Sequence, residues 1–104
     1  MIFPKKIRIC GKDYKIKLTK KPIKQKCYDG KTSNARGIIY YREDLIKLWK
    51  REGKDDTTQT LLHEILHGIE VAFSMDIGEK RLNHFATGLQ TVFKDNPKLL
   101  GLLK

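Results

Sequence analysis

At 104 residues the chain has room for one small domain, expected to span residues 1–104, and none for a second. Hydrophobic residues make up 39% and charged residues 33%, which excludes a disordered chain and implies a modest core. The net charge of +10 is lopsided, with 17 Lys/Arg against 5 Asp/Glu in residues 1–54 and 5 against 7 in residues 55–104.

That excess allows two readings: a solvated lysine face of a sheet, or weak, salt-sensitive nucleic-acid binding through the basic N-terminal half. No aromatic stacking motif of a known nucleic-acid module accompanies it. No apolar run approaches the ~20 residues that cross a bilayer, so no membrane partner is expected. The opening MIFPKKIRIC lacks the apolar stretch and small-residue cleavage site of a secretory signal, and a cytoplasmic location is expected. Cys10 and Cys27 are too few for a disulfide framework and are expected as reduced thiols.

In chain order, Ile7 and Ile9 alternate with Arg8, CGKD supplies a turn, and Tyr14, Ile16 and Leu18 alternate with lysines. This period of two predicts a hairpin with one buried and one lysine-rich face. Residues 20–36, with Pro22, Asp29-Gly30 and Ser33-Asn34, read as an irregular connection. A second hairpin follows, GIIYY and LIKLW about the turn RED, and Gly53 ends it. The pattern then changes period. Asp55, Asp56 or Thr57 can cap a helix with an apolar stripe of Leu62, Ile65, Leu66, Ile69 and Phe73. SMDIG breaks it, and a second helix carries Leu82, Phe85, Ala86, Leu89, Val92 and Phe93 up to Asn96-Pro97. Leu99, Leu100, Leu102 and Leu103 form an apolar tail expected to fold back over the core. The expected class is α+β: a small antiparallel sheet of about four strands, two hairpins, packed by two helices.

The first helix contains TLLHEILHGIE, with a His-Glu-x-x-His at residues 63–67. His63 and His67 stand four residues apart and project from one helix face, where two imidazoles can reach one Zn²⁺ at ~2.0–2.1 Å. Glu64 is turned about 100° from His63, so it is the general base for a metal-activated water and not a ligand. Both histidines lie off the apolar stripe, on a face of their own, which argues against simple core packing. Glu70 shares that face a turn further on and reads as supporting the site or as surface.

TLLHEILHGIE followed by EKRLNHFATGLQTVFKDNP resembles the small zincin-type metallopeptidases encoded by phages and prophages, similar to the ImmA/IrrE and SprT-like groups. The likeness covers roughly residues 37–97 and lacks the metzincin continuation. It implies a minimal zincin-like fold, a zinc metallopeptidase of the HExxH type, a bacterial host cytoplasm, and a third zinc ligand on the next helix. LNHFA fits the group's run after its ligand glutamate at Asn83, Phe85 and Ala86, but Arg81 stands in the glutamate's place. Glu79, in the first turn of that helix, is favoured over His84, with Asp76 third.

The expected function is therefore zinc-dependent hydrolysis of a peptide bond in a protein or peptide substrate. His84, Tyr40 or Tyr41 would serve as oxyanion partner, and GIIYY would be an edge strand that receives the substrate. The alternative is a catalytically inactive zincin-fold binding protein, its basic half holding nucleic acid or an acidic partner.

Overall fold

Cys10 and Gly11 close the first hairpin with φ of 50° and 87°, the two left-handed residues that a two-residue turn between right-twisted strands demands. A computed structural model describes residues 3–26, 29–51 and 53–103; Cys27 lies outside them, and Cys10 is a free, exposed thiol. The hairpin consists of β1 (Lys6–Ile9) and β2 (Lys12–Thr19). The presumed connection contains a further two-stranded hairpin, β3 (Ile23–Lys26) and β4 (Thr32–Ala35). The next hairpin pairs β5 (Gly37–Tyr40) with β6 (Leu45–Trp49).

These strands give an α+β fold with a four-stranded sheet in the order β1-β2-β6-β5 and a separate β3-β4 pair. One feature departs from the expected all-antiparallel sheet: β6 runs parallel to β2, Ile16 opposite Ile46 and Leu18 opposite Leu48. The chain leaves β2, crosses to the far edge as β5, and returns as β6 between the two. Alternation of residue types reveals which face a strand buries and says nothing of its direction. Asp44, φ 53°, helps hold the junction, its carbonyl accepting the Lys15 N–H at 2.9 Å.

Ile9, Tyr14, Ile39, Ile46 and Leu48 meet Leu61 of helix α1 (Lys54–Ala72) in the core, with Ile65 and Ile69 packed alongside. The buried face of α1 is not the leucine stripe expected from sequence. Thr57, Thr60, Leu61, Glu64 and Gly68 are buried, while Leu62 and Leu66 are half-buried and Phe73 is exposed. Small residues decide this by letting the helix approach closely. A Cβ on Gly37 would lie 2.6 Å from the Thr60 methyl, and one on Gly68 would lie 3.0 Å from Ile9. Gly37→Ala should therefore force β5 away from α1 and lower the melting temperature by at least about 5 °C, read by calorimetry. An unchanged melting temperature would show that the contact relaxes freely.

No side chain among the described residues caps α1. Gly53 holds the cap position, and Asp55 and Asp56 sit in the first turn, where the helix dipole favours acids. Helix α2 (Glu79–Asp95) lies against α1 through Leu82 and Ala86, with the Gln59 amide donating to Asn83 Oδ1 at 3.0 Å and an ion pair from Lys94 to Asp55 at 2.6 Å. Phe85, Leu89 and Val92 of the expected core stripe are exposed. The C-terminal leucines form a short 3-10 helix, Leu99–Leu103, none of it buried, so the tail does not fold back over the core. Among the described residues no helix is long and apolar enough to cross a membrane.

Candidate metal centre

His63 and His67 stand one turn apart on α1, and rotation of that helix toward the sheet edge sends both rings into a cleft of about 750 Å³. The cleft lies between edge strand β5 and the start of α2; its lining includes Gly37, Ile39, Tyr41, Glu64 and Glu79. The ring centroids are 4.8 Å apart at 75°. Both Nε2 atoms point at one carboxylate: His63 at 2.9 Å from Glu79 Oε2 and His67 at 2.7 Å from Glu79 Oε1.

His63, His67 and Glu79 form a group whose donor atoms lie within 4.8 Å of one another and which could hold a metal ion. Two imidazole nitrogens and a carboxylate oxygen are a donor set that leaves a tetrahedral ion one open position. Donors bound at ~2.0–2.1 Å to such an ion are about 3.3 Å apart, so Glu79 would draw back slightly to admit it. That is a small movement for a side chain three-quarters exposed, at 75%.

Charge favours a cation there as well. Glu64, Glu70 and Glu79 surround the two imidazoles, with no cationic side chain paired to any of them among the described residues. Glu64 is 5% exposed, and burial pushes its carboxyl up to about 7, with Glu79 adding to the rise and the His67 ring and the Ile39 backbone hydrogen bond opposing it. A buried carboxyl poised near neutrality can take up and release a proton, and it lines the same cleft.

Glu70 has a larger part than its position a turn beyond His67 suggested. One of its oxygens lies 3.3 Å from His67 Nδ1, so the ring's other nitrogen is left to face Glu79. The other oxygen accepts N–H bonds from Ile77 at 2.6 Å and Gly78 at 3.2 Å, the two residues that lead into α2. Those bonds hold its carboxyl below the usual carboxylate range. One side chain thus fixes the orientation of a metal-facing ring and the loop that delivers Glu79. His63 has no such support: its Nδ1 is buried without a hydrogen-bond partner among the described residues.

Of the expected oxyanion partners, Tyr41 alone lines the cleft. Its hydroxyl donates to the His67 carbonyl at 3.3 Å, and burial, with Glu64 nearby, pushes its pKa up to about 12, so it is a neutral phenol at physiological pH. Tyr40 faces the other side of β5, its ring under the Lys47 ammonium at 5.4 Å. His84 is exposed on α2, outside the cleft lining, and Asp76 is exposed in the preceding loop. Alternation along β5 puts neighbouring residues on opposite faces, and so separates Tyr40 from the site. Comparison with models of known families, with curated proteins and with solved structures found no match.

Proposed function

We propose that this chain is a zinc-dependent peptidase, with His63, His67 and Glu79 as ligands and Glu64 as general base. The observation that carries the reading is the convergence of His63 Nε2, His67 Nε2 and the Glu79 carboxylate beside a buried glutamate pushed up to about 7. Bound there, Zn²⁺ would supply Lewis acidity to the attacking water and to the scissile carbonyl. Glu64 takes the proton of that water and hands it to the leaving amine. Tyr41 is the cleft's phenol, and by exchanging its long bond to the His67 carbonyl its hydroxyl would donate to the oxygen that gains charge.

The substrate would lie along β5. Trp49 N–H donates to the Arg36 carbonyl at 2.8 Å, and antiparallel alternation from that bond turns the backbone groups of Gly37 and Ile39 away from β6. An extended peptide can add to this edge beside Glu64 through the outward-facing groups of Gly37 and the Ile39 carbonyl, the Ile39 N–H being taken by the Glu64 carboxyl. The resemblance to phage-encoded zincins supports the same reading, and with it a bacterial cytoplasmic setting.

The test is incubation of zinc-loaded protein with a diverse peptide mixture and detection of new termini by mass spectrometry. Cleavage that stops on chelation and returns with Zn²⁺ supports the proposal. Zinc-loaded protein that cuts nothing across the mixture favours the binding-protein alternative.

A second reading concerns the sheet face opposite α1, where Lys17 and Lys47 are in register and Lys15 lies two residues away on the same face. None of the three has an ion-pair partner among the described residues. This face should bind single-stranded DNA weakly and independently of zinc, losing affinity steeply as salt rises from about 50 to 200 mM. Fluorescence anisotropy with labelled DNA would measure it, and no binding at low salt would leave the lysines as a solubilising surface.

A further inference from the structure

Helix α2 buries only Leu82 and Ala86 against α1 and leaves uncovered a second line that is apolar at Phe85 and Val92 and charged at its ends. That line is Arg81, Phe85, Gly88, Val92 and Asp95, spaced four, three, four and three residues, the spacing of a coiled-coil seam. It lies roughly a third of a turn round the helix from the buried pair. Phe85 is 55% and Val92 43% exposed, a large apolar investment for a surface that nothing among the described residues covers.

We infer that this seam is the contact between two copies of the chain, packed with their α2 helices antiparallel about Gly88. The charges dictate the direction. Arg81 and Asp95 end the seam with opposite signs, and Gly88 is midway between them, seven residues from each. A two-fold axis at Gly88 sets Arg81 of each copy against Asp95 of the other and brings Phe85 over the partner's Thr91–Val92 turn. A parallel pair would set Arg81 against Arg81 and Asp95 against Asp95. Neither residue has an ion-pair partner within the chain among the described residues.

Gly88 supplies an independent reason. Glycine in mid-helix is unfavourable, and a Cβ here would meet nothing within 4 Å, so packing inside the chain does not require it. Close approach of a second helix at the centre of the seam does.

Sedimentation equilibrium over a wide concentration range should show reversible association to twice the chain mass, with a dissociation constant in about the micromolar range expected of a small interface. Val92→Glu should abolish it. Arg81→Asp and Asp95→Arg, each creating two like-charge contacts per dimer, should each weaken it about 10-fold, and the double exchange should restore most of the loss. Gly88→Ala should raise thermal stability of the monomer and weaken the dimer. Circular dichroism of each variant, all at exposed positions, separates lost association from lost folding. A chain that stays monomeric at every concentration overturns the inference, as does a dimer indifferent to Val92→Glu or a double exchange no better than either single change.

Discussion

Glu64→Gln should abolish hydrolysis while leaving zinc bound, a loss of about 10²–10⁴-fold in turnover with the fold retained. The side chain is 5% exposed and the amide has nearly the same shape, so the pocket stays filled and the Ile39 N–H keeps an oxygen to bond. What disappears is the ability to take a proton from water. The metal-free proteins should differ in a second way. The Glu64 carboxyl is raised from 4.5 to about 7, so the folded state holds its proton more tightly than the unfolded state does. Stability from this group is then fully present below pH 4.5 and is lost as pH rises to about 7. Chelated Glu64→Gln should consequently be more stable than chelated wild type at pH 8, by on the order of 2 kcal/mol in urea denaturation. Near wild-type turnover in Glu64→Gln would remove Glu64 as the base, and loss of zinc would give it a structural role instead.

The His-Glu-x-x-His could be read from sequence because its geometry is local: four residues on a helix set two side chains side by side whatever the rest of the chain does. Strands β1, β2, β5 and β6 were legible for the same reason, since alternation such as that of Ile16 and Leu18 with lysines fixes a face, whereas β3 and β4, polar and broken by turn residues, read as an irregular connection. Direction and partnership were not. Nothing in β2 or β6 alone specifies that they run parallel. The rotation of α1 was hidden too, because the approach of Gly37 and Gly68 outweighs the pull of Leu62, Leu66 and Phe73, and a hydrophobic count weighs only the latter. Glu70 shows the remaining limit. Its bonds to Ile77 and Gly78 depend on a loop whose path the sequence leaves open, although its acidic side chain three residues after His67 was a signal that it could reach that ring.

Metal-free protein should take up close to one Zn²⁺ per chain, and His63→Ala with His67→Ala should lower the affinity by at least about 10³-fold, leaving a single carboxylate. A chromophoric chelator competed against each variant would measure this, and an unchanged stoichiometry in the double variant would refute the assignment. The single variants then rank the supporting residues. Glu79→Ala removes the carboxylate that both Nε2 atoms face and should cost at least about 10-fold. Glu70→Ala removes no ligand itself, yet it frees the His67 ring and unties the Ile77–Gly78 approach to α2. Its loss should also fall in the range of about 10–100-fold, with glutamine recovering part of it through the backbone contacts alone. His84→Ala should leave zinc affinity unchanged, because His84 stands outside the cleft. If His84→Ala loses zinc while Glu79→Ala keeps it, α2 must present a different face to the ion. The Glu70 result would then report only on the loop.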